Sequence, residues 1–388
     1  MEFEIASPSA LLLGRKRRSA FWLAVLAAYF LLWIPATAFS ADRIILRNLE
    51  LVADRTVIAV DEDGARLDAK RPGLGDVIPW SDIEQGRVNA DLQKEFDRFL
   101  KELGPLLFRL KQRIKIGDYA GLHETAEKVY PLYASRQSQT AYLVCQATMW
   151  GRLATGKREG AVEPYLRCQE LLRRGTAKGM LLPGTRRLDS TADHCYCPDL
   201  VPLWFDKGAA KEALPGIQEA IRRISLPRPE EAYLYFASLA ATAEDYPAAQ
   251  KVLDAVKGQD PGCQQWKTII QAQMELQQGA PAGNMSTIRA EAAKLQPELR
   301  GVAHYWLAAA NSNSQDETSL RDAALDFLFV PAQFEEQDRE VSAAGLYQAL
   351  LVLVKLKDEQ GAAAIRRELA AEYGDTTHGR KLREQEKK

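Results

Sequence analysis

The sequence predicts a mainly α-helical protein in which helix pairs follow one another along the chain, preceded by a small β module and an export segment. Three observations support this fold class. Beyond residue 90, apolar residues recur at helical spacing between short polar connectors. Between residues 43 and 88 the pattern changes to short runs rich in β-branched residues, which are typical of strands. Before them, a basic cluster is followed by a long uncharged stretch.

The export segment consists of the basic residues Arg15–Arg18 followed by the uncharged residues 19–41. Because the cations stay in the cytoplasm while the apolar helix enters the bilayer, the rest of the chain is expected outside the cytoplasm. Pro35 and the small residues near Ser40 favour cleavage after Ser40, or after Ala38, which makes residues 1–40 a signal peptide. An uncleaved membrane anchor is the alternative, since the stretch is long enough to span a bilayer. The predicted location is exported, periplasmic or cell-envelope.

Composition excludes several classes of protein. The 388 residues carry a formal charge of -1, which becomes -3 when residues 1–40 take four positive and two negative charges with them. We therefore expect no nucleic-acid partner, and contact with a membrane only through an uncleaved N-terminal segment. Five cysteines are too few for a disulfide framework, and four histidines leave little material for a His-rich metal site.

The β module is predicted over residues 41–89. Strands are expected at residues 44–46, 56–60 and 78–81, and the sequence Asp61-Glu62-Asp63-Gly64 predicts a hairpin turn. This pattern loosely resembles small Sm-like or SH3-like barrels, in which a hairpin meander closes on itself. The resemblance implies a module that binds peptides or other proteins. The alternative is a module that only caps the following domain.

The helical domain is predicted over residues 90–375, with an irregular loop at 180–207 and a charged, solvated tail at 376–388. Its first apolar stripe ends where Gly104 and Pro105 interrupt the helical pattern. Further stripes follow along the chain. They are the sets Ile217, Ile221 and Ile224; Ala249, Val252, Leu253 and Val256; and Leu320, Ala324, Phe327 and Leu328.

Residues 230–263 resemble a tetratricopeptide repeat. The matching positions of the first helix, the second helix and the closing residue are Tyr233, Phe236, Ala237, Tyr246, Ala249, Leu253 and Pro261. The resemblance implies an α-helical solenoid of tetratricopeptide-like helix pairs whose concave face binds proteins. Looser pairs are predicted over residues 106–134, 304–330 and 345–375. On this basis Tyr233 and Trp306 are predicted to contact a partner.

No familiar catalytic or cofactor motif is present in the sequence. It contains no GxGxxG, P-loop, HExxH, GxSxG or CxxC. We therefore predict no catalytic, cofactor-binding or metal-ligating residue, and a non-enzymatic scaffold or adaptor that binds other proteins. The alternative is an exported enzyme, or a metal- or thiol-dependent protein, that uses the loop at residues 182–206.

That loop interrupts the helical pattern with prolines and clustered polar residues. Because long loops on rigid scaffolds often bind partners, Arg186, Arg187 and Trp204 are predicted to contact a partner. A zinc site is the less favoured interpretation, because adjacent ligands rarely reach one metal ion. Its candidate ligands would be Asp193, His194, Cys195, Cys197 and Asp199.

Cys145 and Cys168 are predicted to face each other. If residues 138–152 and 161–174 form antiparallel helices, the two thiols lie at the same distance from the connecting turn, and both are on buried helix faces. They are then either disulfide-bonded, as an oxidising compartment allows, or ordinary buried thiols. Cys263 would be left over or would pair with a loop thiol.

Overall fold

The computed structural model describes most of the chain after residue 41. The protein is mainly helical, with a small module of antiparallel strands near its N-terminal end, as the periodicity predicts. It divides into two compact units, Met1–Glu102 and Leu103–Lys388. The described residues are 42–68, 77–176, 196–224, 226, 228–258, 260–279, 283–334 and 339–386. The predicted export segment lies outside them, and within them no helix is both long and apolar enough to cross a membrane.

The described part of the first unit contains two three-stranded antiparallel sheets. Their strand orders are β2-β1-β6 and β3-β4-β5. In the first sheet Ile44 pairs with Val52 on one side and Gly86 on the other. The strands are β1 (Arg43–Leu46), β2 (Leu51–Val52), β3 (Val57–Asp61), β4 (Gly64–Leu67), β5 (Val77–Pro79) and β6 (Ile83–Arg87).

The hairpin predicted at residues 61–64 joins β3 to β4. Asp61 pairs with Gly64 across the turn, and the Asp61 carboxylate accepts a hydrogen bond from the Asp63 backbone N–H at 2.8 Å. A side chain at position 64 would clash with the carbonyl oxygen of Ile78 on the neighbouring strand. The turn therefore needs both the acidic residue and the glycine that predicted it.

Helix α1 (Ala90–Glu102) completes the core of the first unit. Trp80 is fully buried, and its ring centroid lies 5.2 Å from that of Phe96 and 5.8 Å from that of Phe99. The Trp80 indole N–H donates to the Asp61 carbonyl oxygen at 2.7 Å. Because α1 covers Trp80, the first unit extends to Glu102, beyond the predicted module at residues 41–89.

In its described residues, the second unit is a series of helices with short connections. They are α2 (Gly104–Ile116), α3 (Tyr119–Tyr133), α4 (Gln139–Ala154), α5 (Val162–Arg173), α6 (Lys207–Arg223), α7 (Glu230–Thr242), α8 (Tyr246–Leu253), α9 (Pro261–Gln278), α10 (Gly283–Glu291), α11 (Pro297–Ser312), α12 (Glu317–Phe334), α13 (Arg339–Lys355), α14 (Glu359–Glu372) and α15 (Thr377–Glu386).

Most of these helices contact a neighbour along the chain, and several also contact the next helix but one. Contacts of the second kind join α2 to α4, α7 to α9, α9 to α11, α11 to α13, and α13 to α15. The predicted apolar stripes are buried, since Ile217, Leu253 and Phe327 are inaccessible to solvent. Residues in each predicted helix pair therefore form helices.

The C-terminal residues differ from the prediction. Residues 376–388 were expected to be a charged, solvated tail, which is wrong for residues 377–386, because they form α15. His378 and Leu382 are buried, and Leu382 joins an apolar cluster with Leu350 and Leu369 of α13 and α14. Two apolar contacts among so many charges give too weak a stripe to be recognised in the sequence.

Candidate functional site

A cleft of about 590 Å³ opens in the second unit. Its walls come from α3, the end of α4, the turn before α5, the first turn of α5, the first half of α6 with the preceding Asp206, and the first residue of α15. The lining residues are Glu127, Arg152, Gly156, Lys157, Glu159, Gly160, Glu163, Asp206, Ala209, Glu212, Ala213, Gly216 and Thr377. The volume suits a few side chains of a peptide segment or a small ligand.

Arg152 is held firmly in one wall. Its Nε and Nη2 donate to the two carboxylate oxygens of Glu127 at 2.7 and 3.0 Å, and its Nη1 donates to the Gly160 carbonyl oxygen at 2.6 Å. Burial raises the pKa of Glu127, but the hydrogen bonds and charge of Arg152 outweigh burial and bring that pKa below its usual value. The guanidinium therefore stabilises this wall of the cleft, and each of its nitrogens already donates a hydrogen bond within the protein.

His123 and Lys157 continue this polar network. The Lys157 ammonium lies 3.0 Å from His123 Nε2, and His123 Nδ1 lies 3.6 Å from a Glu127 carboxylate oxygen. Burial and then the Lys157 charge lower the pKa of His123. The imidazole is consequently neutral at pH 7, and in the tautomer that carries its proton on Nδ1, its Nε2 accepts a hydrogen bond from the Lys157 ammonium.

Glu159 and Asp206 also line the cleft. Glu159 is buried and accepts the backbone N–H groups of Phe205 and Asp206 at 3.1 and 3.2 Å. Asp206 then caps α6 by accepting the Ala209 N–H at 3.0 Å. The start of α6 is thereby fixed against the turn before α5.

The charge of the cleft is negative. Five lining carboxylates face two cations, a formal net charge of -3, and the Arg152 cation is already paired. Ala209 and Ala213 lie on one side of α6 and leave room beside these carboxylates, whereas the Glu163 carboxylate already lies over Gly216. The cleft can therefore accept a narrow chain that carries ammonium or guanidinium groups, whereas an anionic ligand would be repelled.

Carboxylates dominate the polar groups that line the cleft. Thr377 supplies the only hydroxyl among the lining residues, and no thiol is among them. Within the described residues, no group of three or more His, Cys, Asp or Glu side chains has the geometry of a metal site. The arrangement is suited to recognition by charge and hydrogen bonding.

The residues predicted to contact a partner lie elsewhere. Arg186 and Arg187 lie outside the described residues, and Tyr233 is half-buried. Trp204 and Trp306 are buried, which corrects the expectation that they present surface to a partner. The Trp204 indole N–H donates to the Ser238 hydroxyl at 2.8 Å, so its polar edge is also occupied.

The described end of the predicted loop is part of the core. Tyr196, Cys197 and Leu200 are fully buried. The Tyr235 hydroxyl accepts the Cys197 N–H at 3.0 Å and donates to the Leu200 carbonyl oxygen at 2.8 Å. These bonds satisfy the backbone of an irregular segment that is buried, which explains why prolines and aromatics occur there together.

Burial also decides the chemistry of the Cys197 thiol. Cys197 is not disulfide-bonded, and burial, followed by the nearby Asp199 carboxylate, raises the pKa of the thiol well above its usual range. A protonated, enclosed thiol is a poor nucleophile and a poor metal ligand.

Cys145 and Cys168 lie beside each other, as the helix register predicts. Both are buried free thiols in the structure. Burial and a hydrogen bond with the Cys145 thiol raise the pKa of Cys168. The predicted placement is confirmed, while a covalent bond between them stays a prediction. Cys263 is disulfide-bonded, and its partner lies outside the described residues.

The cleft residues were missed in the sequence because they are scattered over five helices and the turn before α5. No local motif joins Glu127, Arg152 and Glu159, which approach only when α3, α4 and the turn before α5 pack together. The one usable signal was a cluster of charged and glycine residues at 156–160, between two predicted helices.

Comparison with known protein families, curated proteins and solved structures finds no match to this chain.

Proposed function

We propose that this protein is an exported, non-enzymatic scaffold or adaptor of the cell envelope that binds other proteins through tetratricopeptide-like helical repeats. In this proposal the helices of the second unit act as a solenoid of stacked pairs, and the acidic cleft holds a basic segment of the partner.

The contacts between alternate helices carry the proposal. In a stack of helix pairs, the first helix of each pair packs on the first helix of the next pair. The contacts from α7 to α9, from α9 to α11 and from α11 to α13 follow this rule. Such stacks expose long surfaces made of many side chains, and those surfaces suit protein recognition better than catalysis.

The pair formed by α7 and α8 gives local support. Ala237 and Ala249, the small positions of the repeat motif, are fully buried, which lets two helices approach closely. Leu253 fills the adjacent bulky position and is also fully buried. Tyr233 and Phe236 are only half-buried, which suits positions that meet a neighbouring helix or a partner.

Charge complementarity supports a basic partner segment. Glu163 and Glu212 line the cleft beside the small residues of α6. A lysine or arginine stem can lie along Ala209 and Ala213 while its cation reaches these carboxylates. Electrostatic attraction of this kind chiefly sets partner choice and association rate.

The location outside the cytoplasm has two supports. The basic cluster and uncharged stretch at residues 15–41 have the layout of an export segment, whether it is cleaved or retained as an anchor. The disulfide at Cys263 is typical of an oxidising compartment. The alternative of a thiol- or metal-dependent enzyme is less supported, because the Cys197 thiol is enclosed and protonated.

A peptide titration tests the proposal. A labelled peptide of alternating Lys and Ala is titrated against the full exported chain, with a Glu and Ala peptide for comparison. We expect only the basic peptide to bind, and Glu212→Lys to weaken binding by about tenfold, the effect of one lost charge contact. Glu368→Lys, which changes an exposed residue on α14, should leave binding unchanged. Equal weakening by both variants, or binding of the acidic peptide, would overturn the assignment of the cleft.

A further inference from the structure

The first turn of α15 reaches parts of the second unit that are distant in sequence. The His378 ring meets the Phe205 ring edge-on, with 4.4 Å between centroids and an interplanar angle of 80°. The Arg380 guanidinium fills the space above Gly156, where a side chain would overlap it. Gly156 and Thr377 both line the cleft. A helix from the C-terminal end of the chain therefore closes one side of the cleft.

Helix α15 is also anchored to α13 and α14, through its later residues and through Thr377 at its start. Leu382 is buried in their shared apolar cluster, and the Gln385 side-chain amide donates to the Tyr347 hydroxyl at 3.0 Å. The Thr377 backbone N–H donates to the Glu340 carboxylate at 3.1 Å. These contacts would hold α15 in place even if its first turn left Phe205 and Gly156.

The first turn of α15 contains buried polar atoms that have no hydrogen-bond partner. Three polar atoms of the first turn are buried without a hydrogen-bond partner, namely His378 Nδ1, Thr377 Oγ1 and Arg380 Nη2. Each has lost water without gaining a partner, which destabilises the closed contact. Among the described residues, ring and van der Waals contacts join this turn to Phe205 and Gly156, and we find no hydrogen bond or ion pair between them.

We propose that α15 is a releasable strap. Its first turn closes the cleft in the structure described above, and its release widens the cleft while α13 and α14 stay folded. Release hydrates the buried polar atoms of the first turn and breaks its contacts with Phe205 and Gly156, while the hydrogen bond from Thr377 to Glu340 and the ring contact between His378 and Tyr347 are kept. Release of this turn depends on the contacts of α15 alone. That the widened cleft then admits a partner segment rests on the proposed protein-binding function.

Hydrogen–deuterium exchange on the full exported chain, without any partner, tests the strap. His378→Phe keeps a ring between Phe205 and Tyr347 but removes the unpartnered nitrogen. We expect exchange across residues 376–382 to slow by about tenfold. Phe205→Ala removes the edge contact and should speed exchange there by a similar factor, with α13 and α14 unchanged.

A second His–Phe pair provides the matched control. The rings of His304 and Phe329 lie 4.8 Å apart elsewhere in the second unit, so Phe329→Ala should leave exchange at residues 376–382 unchanged. Faster exchange in His378→Phe would overturn the strap, as would equal acceleration of α13, α14 and α15 in Phe205→Ala. If the Phe205→Ala variant fails to fold, exchange in the His378→Phe variant still tests whether α15 is a releasable strap. If exchange at residues 376–382 changes as expected but the basic Lys and Ala peptide does not bind the protein, the strap stands and only the proposed function is contradicted.

Discussion

Arg152 and Glu127 join α4 to α3 through two hydrogen bonds of 2.7 and 3.0 Å at the edge of the cleft. The remaining Arg152 nitrogen is bonded to the Gly160 carbonyl oxygen at 2.6 Å. The guanidinium thus ties three chain segments together. Its charge is neutralised within the wall, which leaves the other carboxylates to determine what the cleft attracts.

The first prediction concerns this ion pair. Arg152→Met should destabilise the protein by about 1–2 kcal/mol, a value reduced because the Glu127 side chain remains about one-third exposed. Lys128→Met is the control, since Lys128 pairs with Glu124 on an exposed helix surface and should change stability by less than about 0.5 kcal/mol. Urea denaturation measures both. Equal effects would show that the pair is an ordinary surface contact.

The second prediction concerns the close approach of α7 and α8. Ala237→Leu inserts a large side chain at a fully buried position and should cost about 1–3 kcal/mol through overpacking. Ala364→Leu makes the same change at an exposed position of α14 and should be nearly neutral. Thermal unfolding of the two variants compares them. A neutral Ala237→Leu would contradict the tetratricopeptide-like packing of this pair.

The third prediction concerns acid stability. Burial, and then the Lys381 charge, lower the pKa of His378 to about 3, against an ordinary value of 6.5. Below pH 6.5 the unfolded chain binds a proton that the folded protein rejects until about pH 3, so stability falls as pH falls through this window. Between pH 6.5 and 4.5 the loss should be about 2–3 kcal/mol if the first turn of α15 stays closed, and smaller if release of that turn lets His378 bind a proton without global unfolding.

His378→Phe isolates this contribution, because other groups also titrate in the same window. The difference in unfolding free energy between the wild-type protein and the variant should widen in favour of the variant as pH falls. Denaturation curves at pH 7 and pH 4.5 measure it. Parallel pH profiles for the two proteins would mean that His378 is protonated within the folded state.

The fourth prediction concerns the cysteines. Non-reducing peptide mapping of the exported protein should find Cys197 alkylated as a free thiol only after unfolding, because it is fully buried. Cys263 should appear in a cross-linked peptide. Of the two loop cysteines that could pair with Cys263, Cys197 is not disulfide-bonded. We therefore expect Cys195 to be the disulfide partner of Cys263. Alkylation of Cys263 without reduction would contradict this pairing.

Periodicity was sufficient to predict much of the fold. The stripe at Ile217 and Ile221 predicted α6, and the acidic turn before Gly64 predicted the hairpin, because both depend on contacts close in sequence. The strap helix α15 was missed, since its burial depends on Leu382 meeting α13 and α14, and no local pattern encodes that contact.

The candidate site was harder to predict than the fold. Aromatic residues in an irregular segment suggested an exposed loop, yet Trp204 is buried because Ser238 of α7 satisfies its N–H. Glu127 and Arg152 come together only through the packing of α3 on α4. Tertiary contacts of this kind decide which charged residues share a cleft, and sequence spacing does not record them.

The most direct test of the central claim is site-specific crosslinking in the native envelope. A photoreactive residue replaces Glu212 in the cleft or, as a control, Glu368 on α14, and crosslinked peptides are identified by mass spectrometry. The scaffold account predicts crosslinks from position 212 to a lysine- or arginine-rich segment of a defined protein, and none to that segment from position 368. Crosslinks that are absent, equal at both positions, or directed to acidic segments would contradict it.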